Sequence, residues 1–324
     1  MNVGVYFDLR NPPAWRRDWS RLYGFTLELC EEAERLGAHS VWLTEHHLFD
    51  DGYVTQPLAF LSAVAARTRR VRLGTAIVIA PLHHAVEIAE QAALVDIVSS
   101  GRVDLGLGAG YRVPEFELFG ADLARRYTTT DGVAREVRRL FGDDRMMPPP
   151  VQDPFPIWMG YQGPKGARRA GILGAGLLSS NGGLWEPYRA GLVEGGHDPS
   201  DGRMAGGLQA FVTEDPEGDW PIVSKHLAYQ IDSYRQHMVQ GTDAPTPRPV
   251  DPEKLRSRDI NSPPLTAFTY GTPEAVAEEI AAATAGAPVE TVFIWASIGG
   301  APEDVTVRHV QTICNRLGPL LEKL

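Results

Sequence analysis

Three short segments of the chain carry residue types that can move protons or bind a flat polar ring, and each releases them where an apolar run stops. VWLTEHHLFD presents Glu45, His46 and His47; VRLGTAIVIAPLHHAVEIAEQ presents His83 and His84; GRVDLGLGAGYRVPEFELFGAD presents Tyr111 and Arg112. Imidazole titrates near neutral pH, so a histidine at a strand end can donate or accept a proton, or hydrogen-bond a bound ring. In parallel α/β proteins the C-terminal strand ends line the active face, which directs all three segments to one site.

Two histidine pairs also raise a rival reading, a metal-dependent hydrolase built on a barrel, since imidazole is the commonest metal ligand. Adjacent residues of an extended chain point to opposite sides, so each pair offers one ligand, and no HxH spacing occurs; the expectation is no metal. At least one of His46 and His47 is expected to be a buried structural residue. GLGAGY places Gly106, Gly108 and Gly110 at a strand end, where backbone can approach a ring or phosphate closely. No helix pattern follows at once, so it is not a dinucleotide fingerprint. GYQGPKG is a second glycine-rich turn, with Gln162 and Gly163 ahead of Arg168 and Arg169. It suits a phosphate at a helix N-terminus, or a plain strand-to-helix turn.

The elements that must position these groups follow from spacing. Residues 3 to 7 read as a buried strand, and Pro12 and Pro13 make RNPPAWRRDW a loop. From Ser20, the residues Leu22, Phe25, Leu29, Ala33 and Leu36 recur at helical spacing until Gly37. Strands at 40–43, 71–79 and 103–107 alternate with helices at 57–66 and 85–98. This rhythm implies a parallel sheet with right-handed crossovers, and an eightfold barrel of ~250 residues fits the length. Later, 156–159, 176–180 and 207–213 read as strands, the last as the seventh, while 165–173 and 221–239 read as helices. The stretch 241–264 holds six prolines and many charges and reads as a long surface loop of the kind that forms lids. Thr272 and Pro273 cap a helix, 290–295 is the last strand and 305–321 a closing helix. No repeat or linker interrupts residues 1–324, so one barrel unit is expected.

The 324 residues include 43% hydrophobic ones, enough for a large core. With 31 Lys and Arg against 41 Asp and Glu, the net charge of -10 disfavours a nucleic-acid partner and favours a small molecule. Cys30 and Cys314 are expected to be buried, reduced thiols. MNVGVYFDLR lacks signal-peptide features and no apolar run approaches the ~20 residues of a membrane span, so the expected location is the cytoplasm, with no membrane contact.

The segments AERLGAHSVWLTEHHL, VRLGTAIVIAPLHHAVEIAEQAALVDIVSSGR, GLGAGY, EFELFGAD and the late GTPEAV, taken together, resemble the bacterial luciferase-like family of flavin-dependent oxidoreductases. They run in order over most of residues 30 to 135 and return near 270. The resemblance implies a TIM (β/α)8 barrel with insertions, dimeric through its second and third helices. A flavin or deazaflavin ring lies at the C-terminal face of such barrels, above a cis non-proline peptide that falls here at Ala76-Ile77. His46 matches the histidine linked to catalysis, and His47 and His84 match other positions near the ring. The activity implied is that of a monooxygenase using reduced FMN and O2 on a small or medium organic substrate, with FMN supplied by a separate flavin reductase.

Two departures stand out. Ala109 replaces an arginine that several relatives direct at the flavin phosphate, and Ala85 replaces a common proline. Arg112, Arg125, Arg126, Lys165 and Arg168 are candidate substitutes, Arg126 matching a position where relatives often keep an arginine. The expected cofactor-binding set is Ala76, Ile77, Gly108, Tyr111, Arg112, Arg126, Gln162 and Gly163. Because the same barrel also hosts deazaflavin (F-420)-dependent hydride transfer, that is the first alternative. A non-catalytic flavin-binding protein is the second, suggested by the missing arginine and opposed by the intact histidines.

Overall fold

A computed structural model describes residues 1–142, 146–255 and 268–324. Strands β1 (Asn2–Phe7), β2 (Ser40–Leu43), β3 (Arg72–Thr75), β4 (Val78–Ile79), β5 (Val103–Gly108), β6 (Ile157–Met159), β7 (Gly176–Leu178) and β8 (Met204–Leu208) come first in the chain. An insertion carrying β9 (Ala210–Val212) and β10 (Thr269–Gly271) precedes β11 (Val289–Trp295). The main sheet runs β3-β2-β1-β11-β8-β7-β6-β5-β4, and pairing of β3 with β5 closes it. β3 and β4 are two halves of one stave, so the result is an eight-stave parallel TIM barrel. The expected strand 71–79 is thus broken, and its halves meet at a cis peptide between Ala76 and Ile77, where the resemblance places it.

Helices α1 (Trp19–Arg35), α2 (Pro57–Arg67), α3 (Ala85–Ser99), α4 (Val113–Phe119), α5 (Arg126–Phe141), α6 (Gly163–Ile172) and α7 (Trp185–Glu194) follow the strands in turn. Then come α8 (Pro216–Val239), α9 (Pro273–Thr284), α10 (Glu303–Thr312) and α11 (Gly318–Leu321). Thr272 caps α9 as expected, its hydroxyl accepting from the Ala275 N–H with Pro273 in the first turn. Cys30 and Cys314 are buried free thiols.

Several readings change. The expected strand 207–213 is two strands: Met204–Leu208 belongs to the barrel, whereas Ala210–Val212 leaves it to pair in parallel with β10. A single apolar run feeds both, so local pattern does not separate them. The closing helix 305–321 contains a π turn at Ile313–Leu317, just ahead of Pro319, which has no N–H to continue the ladder. α4, α5 and α7 were not assigned from spacing. In α5 the buried face includes Thr130 and Asp131 beside Val133, Ala134 and Val137, which hides the helical period.

The barrel interior alternates large and small side chains. Trp42 stacks on Phe293 with centroids 4.5 Å apart, and it lies against Gly74, where a β-carbon would come 2.1 Å from the indole. Trp158 donates from Nε1 to Asp104 at 3.0 Å. Above this layer α8 crosses the C-terminal mouth. Gln230 accepts from the Gly299 N–H through Oε1 (2.9 Å), Arg10 donates to the Ser233 hydroxyl, and His237 stacks on Phe49 with centroids 3.9 Å apart. Of the expected lid, residues 241–255 are described; Val250 N–H donates to Asp232, which returns the chain along α8. Residues 256–264 of that stretch lie outside the described residues. Among the described residues no helix is long and apolar enough to cross a membrane.

Trp42 is 2% exposed and fills the centre of this layer. Trp42→Ala is expected to lower the unfolding free energy by about 3–5 kcal/mol through lost burial and an unfilled cavity. Urea denaturation of both proteins, followed by circular dichroism, measures the difference.

Candidate active site

The polar groups released by β2, β4 and β5 meet around two buried carboxylates. Glu45 follows β2 and is 1% exposed. Its Oε1 lies 2.8 Å from His47 Nε2 and 2.6 Å from His83 Nε2, and its Oε2 accepts from the Ile79 N–H at 2.7 Å. Burial pushes the Glu45 pKa up, but these hydrogen bonds and the charge on His83 outweigh it and hold the carboxyl below its usual range. Burial lowers the His83 pKa, yet the bond to Glu45 and its charge win and leave it raised. Glu45, His47 and His83 gather three metal-capable atoms within 4.8 Å of one another, both rings being hydrogen-bonded to Glu45 Oε1.

Glu115, near the start of α4, is the second carboxylate. Its Oε1 accepts from His46 Nδ1 (2.8 Å), the His47 backbone N–H (2.9 Å) and Arg112 Nη1 (3.1 Å), whereas Oε2 is buried without a partner. Burial opposes ionisation of Glu115; the hydrogen bonds from His46 and the His47 N–H and the charge of Arg112 overcome it, so its pKa is lowered. For His46 burial dominates and lowers the pKa despite Glu115. The imidazole is therefore neutral at pH 7. An ionised carboxylate only accepts, so Nδ1 carries the proton and Nε2 the lone pair. His46 Nε2 lies 3.4 Å from Tyr111 Oη.

The other expected site residues separate in space. His84 is exposed at the N-cap of α3, makes no capping bond, and does not join Glu45; its neighbour His83 does. The reason is alternation: at consecutive positions only one ring can face inward. Arg112 is fully buried and turned into the protein. Its Nε donates to the His237 carbonyl (3.2 Å), Nη1 to Glu115 and the His47 carbonyl, and Nη2 to Gln240 Oε1 (2.7 Å), so it is not free to hold a phosphate. Arg168 pairs with Glu194 at 2.6 Å. Arg126 opens α5, donates from Nη1 to the Leu123 carbonyl, and keeps a buried Nε without a partner.

Gly108 has a packing role: a β-carbon there would lie 2.5 Å from Ile77 Cγ1. Ala76 and Ile77 are half-buried while the rest of their stave, from Leu73 to Ile79, is buried, and Tyr6 Oη donates to the Ala76 carbonyl at 3.1 Å. Gln162 is exposed at the N-cap of α6, and Gly163 (φ 68°) has open space where a side chain would stand.

Sequence reasoning did not single out Glu115, Asp8, Tyr53 or Tyr234. Asp8 directly follows the apolar run of β1, so the rule that found Glu45 applies to it. It is fully buried and accepts from Trp295 Nε1 at 3.0 Å. Burial pushes its pKa up to about 7 against the pull of Arg10, with Asp51 adding to the rise. Tyr53 and Tyr234 are in hydrogen-bond contact through their hydroxyls, between the β2 loop and α8. Their 181-residue separation leaves no local signal.

The family pattern described as Luciferase-like monooxygenase matches residues 1–290, and the chain belongs to that family. The chain is 39% identical over 97 residues to the oxygenase component of the flavin-dependent trigonelline monooxygenase of Acinetobacter baylyi, covering 30% of this chain and 27% of that one. It is 28% identical over 182 residues to an F420-dependent glucose-6-phosphate dehydrogenase of Amycolatopsis mediterranei, covering 50% and 55%. The chain thus spans only about a quarter to a half of the length of these curated relatives. Monooxygenase RslO1 from Streptomyces bottropensis has the same fold, with a TM-score of 0.80 at 23% identity over 98% of this chain and 99% of that one.

The Glu45 cluster makes stability depend on pH in a defined window. The raised His83 pKa contributes stability that is complete below the unfolded value of ~6.5 and disappears as pH rises through the folded value. The lowered Glu45 pKa contributes above ~4.3 and is lost as pH falls through its folded value. His83→Ala is expected to flatten the decline above neutrality, measured as urea midpoints from pH 5 to 9. A wild-type and variant decline of equal slope rules the linkage out.

Proposed function

We propose that this protein is a monooxygenase that receives reduced FMN from a separate reductase and acts with O2 on a small or medium organic substrate. The observation that carries this reading is His46: a neutral imidazole at the barrel mouth, held on Nδ1 by Glu115, with Nε2 turned towards Tyr111. Such a group holds or takes a proton at Nε2 beside a bound ring. His47 acts through Glu45 as a positioning residue, and the exposed His84 gives up its expected place to His83.

The residues present fit a flavin. Ala76 and Ile77 offer a half-buried apolar floor against which a flat ring can lie, with Gly108 beneath Ile77. Arg126, with its unpartnered Nε at the head of α5, and the open turn at Gln162 and Gly163 are the phosphate-binding groups in this reading. When bound, reduced FMN supplies the electrons that activate O2. The chain's own part is to place His46 and Tyr111 and to exclude water with α8, which lies across the mouth and continues into residues 241–255. The trigonelline relative is itself an oxygenase component, in keeping with a separate reductase. Kinship with an F420-dependent dehydrogenase supports a second reading, hydride transfer with a deazaflavin.

α3 supports a homodimer through α2 and α3. Leu94 is 55% and Val98 46% exposed on a helix whose opposite side, with Ile88, Ala92 and Val95, is buried in the barrel. Leu94→Asp combined with Val98→Asp is expected to shift the protein to monomer in sedimentation analysis, and an unchanged sedimentation coefficient overturns this interface. For the reaction, anaerobic titration with reduced FMN and with the reduced deazaflavin, followed by O2, separates the two cofactor readings; binding of neither defeats both. His46→Ala is expected to keep FMN affinity and to lose about 10²–10⁴-fold in turnover. Full turnover in that variant sinks the proton-transfer role.

A further inference from the structure

Glu115 and Arg112 lie three residues apart, both fully buried, and both touch the catalytic side of the mouth. Oε1 of Glu115 gathers three N–H donors while Oε2 has none, an arrangement that aims the carboxylate at His46 more than it satisfies the carboxylate itself. A carboxylate buried alone beside an imidazole draws a proton onto it. Arg112, 3.1 Å away, balances that charge. The guanidinium is in turn held by the end of α8, through the His237 carbonyl and the Gln240 side chain.

Glu115 faces His46 from α4 and Arg112 from the approach to α4; Glu45 adds charge from its own loop. Tyr53, Tyr111 and Tyr234 present rings from the β2 loop, the β5 loop and α8. Arg112 answers Glu115, and His83 answers Glu45. With both balances kept, nothing forces a second proton onto the ring.

We propose that Glu115 and Arg112 form a positioning pair that keeps His46 neutral with its proton on Nδ1 and its lone pair on Nε2, and that the C-terminal turn of α8 holds this pair in place. If that turn undocks, Arg112 loses two of its four acceptors and its hold beside Glu115 loosens; as the guanidinium withdraws from the carboxylate, His46 takes a proton at Nε2 and ceases to be an acceptor. The acid/base group is thereby competent only under a closed α8. The effect on turnover rests on the reading of His46 given above; the state of the ring does not.

Two-bond proton–nitrogen correlation spectra of the intact, nitrogen-15-histidine-labelled protein test this directly. In the wild-type protein at pH 7, His46 is expected to show a protonated Nδ1 and an unprotonated Nε2; the reverse tautomer, or an imidazolium, overturns the proposal whether or not any variant folds. Glu115→Gln is expected to abolish the single tautomer and to cost about 100-fold in turnover. Arg112→Gln, and more mildly Gln240→Ala at the surface end of the chain of contacts, are expected to raise the pH at which His46 titrates and to move the acid limb of the kcat profile upward with it. Unchanged His46 tautomer and titration in all three variants overturns the pair. A ring that responds as expected while turnover does not change leaves the pair standing and defeats the acid/base role of His46 instead.

Discussion

A carboxylate taken out of water must be surrounded by donors, and the mouth of this barrel buries two of them side by side. Glu45 takes its donors from the loop after β2, from β4 and from the loop after β4, Glu115 from the loop after β2 and the approach to α4. Neither set comes from one segment, so meeting the requirement draws three strand ends together. Buried polar networks of this kind are costly when incomplete and specifying when satisfied. The histidines of the β2 loop are divided between the two carboxylates, His46 on one and His47 on the other. That division leaves His46 Nε2 facing Tyr111, whose hydroxyl lies 3.4 Å away.

The platform beneath depends on packing instead of charge. Indoles and a phenyl ring fill the barrel where neighbouring staves carry glycine, as with Trp42 over Gly74. The same economy of space recurs higher up, where Gly108 leaves room for Ile77 and the apolar floor of the mouth is set by a missing β-carbon. Glycines that look in sequence like a cradle for a ligand thus first serve the contact between two staves. Above the carboxylates, Arg112 joins the β2 loop and α4 to the end of α8, so the cover and the carboxylate that holds His46 share one guanidinium.

Most barrel strands were legible because each is a short apolar run closed by a local stop, and the period of a strand or helix needs only its own residues. The runs 3–7, 40–43 and 103–107 are observed as β1, β2 and β5 with their ends within about a residue or two. Legibility failed where burial is polar or where one run serves two elements. α5 hides behind Thr130 and Asp131, which face inward because Asp131 ties Tyr161 and Arg169 at 2.6 and 2.7 Å. Residues 207–213 read as one strand because nothing local marks the point where β9 leaves to find β10, nearly sixty residues on.

By itself, the sequence determined the barrel rhythm, the family and the strand ends at which chemistry collects, since those rest on apolar spacing and on motifs contained in single segments. Tertiary structure alone decided that His83 and not His84 reaches Glu45, that Glu115 holds His46, that Arg112 turns inward, and that α8 covers the mouth. Each of these is a hydrogen bond of about 3 Å between groups dozens of residues apart, and no periodicity within a segment encodes which of two adjacent side chains will meet its partner.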